Sequence, residues 1–309
     1  MAEAVDFFNK TSEPPGFQVK CDKINEFCRD HRTCRDIPIV LVTSGGTTVP
    51  LEGNTVRFID NFSIGTRGSA SAEYFLDQGY AVIFLHRARS LQPFARHLPQ
   101  THLLDILQIQ PDGCLQVREE ESQKIAKVVE RYHSVMREGR LLLVDFTSLG
   151  DYLHLLRATS RILNPLGKRA ILYLAAAVSD FYIPVDKMPE HKIQSSNGPL
   201  QLSLELVPKM LEALVKHWLQ EAYIVSFKLE TNPDLLIGKA RQALNKYGHQ
   251  LVIGNILTTR KHSVVMVTQN GEESIQLNSG EITAGVEIET KIVENIVTRY
   301  NKFCEEQSH

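Results

Sequence analysis

The residues of this chain best suited to chemistry sit in loops that end apolar runs. The stretch DNFSIGTRG (Asp60–Gly68) places Asn61, Ser63, Gly65 and Gly68 just before an amphipathic segment. Glycines of this kind let backbone N–H groups approach an anion, and the N-terminus of a following helix favours negative charge. Ser63 adds a hydroxyl donor. The run VTSGGT, which contains Gly45, offers a second such loop. Neither matches G-x-x-x-x-G-K-S/T or GxGxxG, so the Walker and dinucleotide fingerprints are absent. Each loop alone reads equally well as a simple turn; two of them around one hairpin favour a phosphate.

Two further segments join a strand end to unusual residues. In AAAVSDFYIP, the alanines, Ala176 and Ala177 among them, leave room for a ligand against the backbone, and Asp180 follows. Close packing beside an exposed acid is the plainer reading. Downstream, MPEHKIQSSNGP is polar and bounded by prolines. It reads as a flap over about 184–200 carrying His191 and Lys192, or as a solvated loop. The third segment pairs SFKLET with GNIL. Phe227 is placed to cover a base and Asn255 to hydrogen-bond its edge, although spacing alone assigns the aromatic to the core.

These loops need elements to position them. IPIVLVTSG (37–45) is a β-branched apolar run, the pattern of a buried strand. A turn at EGN and the alternating TVRFID make a hairpin of about Thr47–Asn61. SASAEYFLDQGY then predicts a helix stopped at Gly79. Strands follow at YAVIFLH, RLLLVDFTS, RAILYLAAAVSDF, EAYIVSFKLET and HQLVIGNIL. Helices alternate with them at EEESQKIAKVVERYHSVMREG, LGDYLHLLRATSRIL, VPKMLEALVKHWL and NPDLLIGKARQALNKYG. SVVMVTQ and ESIQLN are polar-alternating strands, and a helix from Ile288 to about Cys304 closes the chain. Pro14–Pro15–Gly16 breaks an N-terminal tail, followed by a helix at about Lys20–Arg32. The alternation predicts an α/β fold: a Rossmann-like, doubly wound, mostly parallel sheet. Residues 1–36 form the tail and first helix, and 37–309 one domain with the hairpin and an irregular excursion at about Val178–Leu206.

Bulk properties exclude several classes. The chain has 309 residues, 43% hydrophobic and 23% charged, with a formal net charge of −2. That balance gives no electrostatic reason to expect nucleic acid or an anionic membrane as partner. The longest apolar run, AILYLAAAV, is too short for a bilayer, and the N-terminus lacks the pattern of a signal peptide. Five cysteines without a CxxC pair fit reduced thiols in the cytoplasm, with Cys21, Cys28 and Cys34 as packing residues rather than metal ligands. From pattern alone, this is an α/β protein that binds a nucleotide or a phosphate.

In order, LVTSGGT, VRFIDNFSIGTRG, DYLHLL, LNPLG, YLAAAVSDFYIPVDKMPEHKIQSS, GPLQL, VPKML, SFKLET and GVEIE resemble the phosphopantothenate–cysteine ligase family, in its free-standing eukaryotic branch. The matching stretches run from about residue 39 to 290. The resemblance implies a homodimer of coenzyme A biosynthesis. It joins (R)-4′-phosphopantothenate to L-cysteine with a nucleoside triphosphate and Mg²⁺, through an acyl-nucleotide. It also implies that Gly45, Ser63, Gly65 and Gly68 meet the nucleotide phosphates, with Phe227 and Asn255 near the base. Asn61, Ala176, Ala177 and Asp180 would surround the phosphopantothenate. Arg57 would reach the partner chain's site, and Lys192 would meet the triphosphate as the flap closes. The flavin-dependent decarboxylase that precedes this domain in bacterial relatives is expected to be missing.

The bacterial relatives use CTP and place lysines in the helix before the last core strand, where RQALNKYG offers only Lys246. That difference favours ATP. The chemistry suits the residues: a carboxylate must first gain a better leaving group, which positioning and charge neutralisation supply without a covalent residue. As a neutral amide, Asn61 hydrogen-bonds a carboxylate and then an acyl oxygen without repelling either. Asp180 is a candidate Mg²⁺ ligand beside phosphates and waters. Two alternatives are an NADP-dependent reductase, with Arg87 and Arg89 for a 2′-phosphate, and a non-catalytic dimeric nucleotide-binding module.

Overall fold

In the strand Ile39–Ser44 (β1), every residue is buried, and successive side chains feed two different cores. Ile39 and Leu41 pack on one face of the sheet, Val40 and Val42 on the other. A strand covered on both faces must be apolar throughout, which explains the absence of hydrophobic alternation. The computed structural model describes residues 2–35, 37–99, 101–195 and 198–306.

Seven further strands complete the main sheet: Ala81–Arg87 (β2), Leu141–Phe146 (β3), Ala170–Leu174 (β4), Tyr223–Glu230 (β5), Leu251–Ile256 (β6), Ser263–Thr268 (β7) and Gly271–Gln276 (β8). Their order is β8-β7-β6-β5-β4-β1-β2-β3. Strands β1 to β6 pair in parallel, and β7 and β8 add an antiparallel edge. The chain starts at β1 and winds outward through β2 and β3. It then returns to β4 and winds the other way. The reversal falls between β1 and β4, where an open α/β sheet leaves a crevice beyond the carboxyl ends of its strands.

Helices cover both faces, as the doubly wound reading requires. On one side lie Ala2–Lys10 (α1), Phe17–Asp30 (α2) and Leu149–Leu163 (α5). On the other lie Thr66–Asp77 (α3), Glu119–Arg137 (α4) and Ile288–Glu306 (α7). Pro233–Tyr247 (α6) packs a smaller cluster through Ala240 and Leu244 against Val252 and Val267. Asn232 caps α6 by accepting from the Asp234 N–H, with Pro233 in the first turn. No helix among the described residues is long and apolar enough to cross a membrane.

Several elements differ from the sequence reading. The tail before Pro14 is helical: Ala4, Phe7 and Phe8 are buried, and Phe7 meets Tyr182 edge-to-face at 5.3 Å. The strand expected over RAILYLAAAVSDF stops at Leu174. Beyond it the chain leaves the sheet ladder, because Ala176 N–H donates to Thr43 Oγ1 and Ala177 N–H to the Gly45 carbonyl. The helix expected over VPKMLEALVKHWL is only Met210–Ala213, continued by a wide turn at Leu214–Trp218 that buries Trp218. The hairpin pairs Thr48–Pro50 with Phe58–Asp60, and the excursion is closed by Phe181–Tyr182 pairing with Glu205–Leu206.

Candidate active site

Three loops meet at the switch point and fix one another through the backbone. Gly46 bridges Ala177, Thr47 N–H donates to the Ala177 carbonyl, and Asn61 N–H donates to the Thr47 carbonyl. The Ser179 N–H donates to Thr47 Oγ1 at 3.0 Å. The approach is so close that a Cβ on Gly46 would lie 1.6 Å from the Asn61 carbonyl oxygen. Only glycine fits there. Gly65, at φ +87°, turns the chain into α3, whose first N–H groups have no partner within the helix.

The loops open onto a cleft of about 770 Å³. Asn61, Ser63 and Gly65 line it from the α3 loop, Ala176, Ala177 and Asp180 from the loop after β4, and Phe227 and Asn255 from β5 and β6. Eight of the twelve residues expected at a site therefore share one cavity. The Asn61 side-chain amide lines the cleft and makes no hydrogen bond among the described residues. Phe227 is half-buried, set edge-to-face on the fully buried Tyr173 with ring centres 4.9 Å apart. It is a cleft wall supported by the core.

The other four expected residues lie elsewhere. Gly45 and Gly68 stand behind the lining: Gly45 accepts from Ala177 N–H, and Gly68 lies against Ser44. Arg57 is on the hairpin, where Nη1 donates to Glu52 Oε1 at 2.9 Å and to the Ile193 carbonyl at 3.2 Å. Lys192 is exposed in the excursion and forms no ion pair among the described residues. Ser196 and Asn197, part of the expected flap, fall outside the described residues.

Sequence reasoning missed most of the charge. Five cationic side chains line the cleft, Arg67, Lys209, Lys228, Arg260 and Lys261, against two carboxylates, Asp180 and Glu289. Lys209 Nζ sits 3.1 Å from Asp180 Oδ1. Arg67, in the first turn of α3, donates from Nη1 to Glu289 Oε1 at 2.9 Å and from Nη2 to Asn255 Oδ1 at 3.1 Å. Glu289 is buried; burial pushes its carboxyl up, and the Arg67 guanidinium opposes that push. The only sequence signal for this group was Arg67 beside the glycine loop. An excess of positive charge in a low-dielectric crevice suits a polyanion. Arg87, wanted for a 2′-phosphate by the reductase reading, is instead ion-paired to Asp60 at 2.5 Å.

Comparison with known proteins gives the same direction. Residues 157–298 match the model of the DNA/pantothenate metabolism flavoprotein C-terminal domain. Human phosphopantothenate–cysteine ligase is 53% identical over 270 residues, 86% of this chain and 87% of the human protein. The Saccharomyces cerevisiae ligase CAB2 is 40% identical over 97% of this chain and 87% of its own length. A solved Cab2 mutant in complex with phosphopantothenate-cysteine superposes with a TM-score of 0.91 at 40% identity, covering 98% of this chain and 99% of that one. A Streptococcus pneumoniae flavoprotein structure, at 21% identity and TM-score 0.58, shares the fold. With the resemblance read from its loops matched along most of its length, the chain belongs to the phosphopantothenate–cysteine ligase family.

Proposed function

We propose that this cleft joins (R)-4′-phosphopantothenate to L-cysteine in coenzyme A biosynthesis, with ATP as the preferred nucleotide and an acyl-nucleotide between the two half-reactions. The observation that carries this reading is five cations and a helix N-terminus converging with an unpaired neutral amide on one crevice. The family's ligase activity requires a nucleotide co-substrate, and the Cab2 complex with phosphopantothenate-cysteine supports the identity of the product.

In the first half-reaction, an oxygen of the phosphopantothenate carboxylate attacks the α-phosphorus. A new P–O bond forms, the bond to the β-phosphate oxygen breaks, and pyrophosphate leaves. In the second, the cysteine amine attacks the acyl carbon. The nucleoside monophosphate departs with the bonding pair, and the amine gives up its proton. Ser63, Gly65 and the free amides of α3 hold phosphate oxygens, backed by Gly45 and Gly68. Asn61 donates to the carboxylate and then to the acyl oxygen; Ala176 and Ala177 keep the floor shallow, and Asp180 marks the rim. Phe227 and Asn255 take the base. Fixed donors aimed at developing charge are the main source of rate in such sites.

Magnesium fits through the phosphates rather than through a protein cage. The described residues contain no group of three His, Cys, Asp or Glu side chains able to hold a metal. Mg²⁺ commonly keeps waters and binds by one carboxylate plus phosphates, and Asp180 is the candidate. When bound, it would neutralise charge on the triphosphate.

The active form is proposed to be a homodimer. Val56, Phe58, Phe62 and Ile64 expose apolar side chains on and beside the hairpin, an arrangement that a second copy would cover. Arg57 is bound to Glu52 and does not line its own cleft, and it would complete the partner's; Lys192 would swing onto the triphosphate.

The test measures pyrophosphate release with phosphopantothenate present or omitted, with and without cysteine, comparing ATP and CTP. The expected result is release that requires phosphopantothenate and proceeds for one turnover without cysteine, faster with ATP. Release indifferent to phosphopantothenate would sink the proposal.

A further inference from the structure

The Arg67 network holds more than an ion pair. Its Nη2 also donates to the Arg260 carbonyl at 2.6 Å, so one guanidinium ties α3, β6, the loop after β6 and the first turn of α7. Asn255 is bound on both sides of its amide. Oδ1 accepts from Arg67, which has only donors, and Nδ2 donates to the Ile253 carbonyl at 3.3 Å, which has only acceptors. The amide therefore has a single orientation. One Nδ2 hydrogen is left over, in a side chain that lines the cleft. Glu289 lines the same cleft, with Arg67 as its side-chain partner. A carboxylate has about four acceptor positions; Arg67 and the Glu289 N–H take two, so about half of its accepting capacity remains.

A fixed donor beside a fixed acceptor matches only some nucleobases. Adenine presents the N6 amine next to the acceptor N1, and cytosine presents the N4 amine next to the acceptor N3. Guanine and uracil present a keto oxygen next to a ring N–H, which reverses both positions. We propose that Glu289 and Asn255, held in register by Arg67, read the base edge and select amino-bearing nucleotides over keto-bearing ones. Glu289 accepts from the exocyclic amine, and the free Nδ2–H of Asn255 donates to the adjacent ring nitrogen. Arg67 is a positioning residue, touching neither base atom. The inference rests on the reading of this cleft as the nucleotide site and adds the basis of its base selectivity.

A keto oxygen facing a buried carboxylate, and a ring N–H facing an amide N–H, would leave four polar groups mispaired. Sites built to hydrogen-bond a ligand group reject analogues lacking it strongly. The test compares ATP, CTP, GTP and UTP on the unaltered protein, by pyrophosphate release with phosphopantothenate and separately by nucleotide binding without it. The expected kcat/KM ratio is about 10²-fold or more for ATP over GTP and for CTP over UTP. Glu289→Gln, whose amide can turn an N–H toward a keto oxygen, should lower the ATP-to-GTP ratio by about tenfold or more. Arg67→Lys, checked for folding by its melting transition, should raise KM for ATP more than it lowers kcat and narrow the same ratio. Equal binding and use of all four nucleotides by the unaltered protein would overturn the proposal without any variant. So would a folded Glu289→Gln protein that keeps the original ratios. If no nucleotide supports pyrophosphate release, the ligase reading fails, and the four binding constants still decide the base-reading claim.

Discussion

Two regions beside the cleft are held in place by different means. After β1 and β4, loops grip one another through backbone groups: Ala177 both donates to Gly45 and accepts from Thr47, and Asn61 N–H donates to Thr47. The hairpin and the 184–200 segment meet instead around one side chain. Glu52, fully buried, accepts from the N–H groups of Val56 and Arg57 and from Arg57 Nη1. Burial alone would raise its carboxyl, but N–H groups of Arg57, Val56 and Ile193, with the Arg57 guanidinium, outweigh that and hold it low. Gly53 and Asn54 N–H groups then donate to the carbonyls of Pro189 and Glu190. The first region is rigid because missing Cβ atoms allow backbone contact. The second depends on a carboxylate and leaves Phe58 and Phe62 in solvent. Under the proposed function, preorganised chemistry would belong to the first, and adaptation to a ligand or a second chain to the second.

The sharpest way to break that contrast is Asn61→Asp. The change keeps the shape of a side chain that makes no hydrogen bond among the described residues, but it puts a negative charge where the proposed mechanism brings a carboxylate. Loss of one preorganised donor costs about 10²–10³ in rate, and added repulsion should cost more. The expected outcome is a protein with an unchanged melting temperature and at least that loss in phosphopantothenate-dependent pyrophosphate release. Near-normal release from a folded variant would remove Asn61 from the chemistry.

The hairpin makes the opposite prediction, that its contribution crosses to another chain. Arg57→Ala and Asn61→Asp should each be inactive as homodimers. If Arg57 serves the partner's site, a mixed dimer carries both lesions in one site and leaves the other whole. Remixing equal amounts should restore about a quarter of all sites, since half the dimers are mixed. Chains shown to exchange without any return of activity would keep Arg57 out of the neighbouring site.

What the sequence revealed follows the same division. The places of Asn61, Ser63, Gly65 and the alanines beside one cleft were legible because each lies in a loop that ends an apolar run, although each loop alone read equally well as a turn or as close packing. The central parallel strands were legible because burial on both faces leaves an unbroken apolar run, whereas β3 at the edge exposes Leu143 and Asp145. Arg67, Lys209, Lys228, Arg260, Lys261 and Glu289 were not, because a charged residue in a sequence reads by default as solvated surface. Their convergence exists only once α3, β5, β6 and α7 are packed together. Helix α1 was hidden for a related reason: Phe7 and Phe8 look like tail residues until Tyr182, His154 and Trp218 are brought to meet them. Glu52 sits in what reads as a turn, and nothing near it in the chain announces burial.

The smallest expected effect concerns the support beneath the rigid region. Ser226, which lines the cleft, hydrogen-bonds the buried His249 at Nε2 over 2.8 Å. Burial lowers the His249 imidazole to about 4. An ordinary histidine titrates near 6.5, so between these values the unfolded chain binds a proton that the folded chain refuses. The contribution to stability is fully present above about pH 6.5 and is lost as pH falls toward 4. By pH 5 the loss amounts to about 2 kcal/mol, from 1.36 kcal/mol per pH unit across the interval from 6.5. His86 and His154 are also lowered by burial and act in the same direction, so the whole protein should be acid-sensitive. His249→Gln can still hydrogen-bond Ser226 but has nothing to protonate. Unfolding free energies from urea titrations at pH 7.5 and pH 5 should therefore converge in the variant by about that amount relative to the parent protein. The hairpin shares no hydrogen bond with this pair among the described residues, so proteolysis within 47–61 should respond equally to acid in both proteins. An unchanged pH dependence of the urea midpoint in the variant would show that the wall over β5 does not rest on a neutral imidazole.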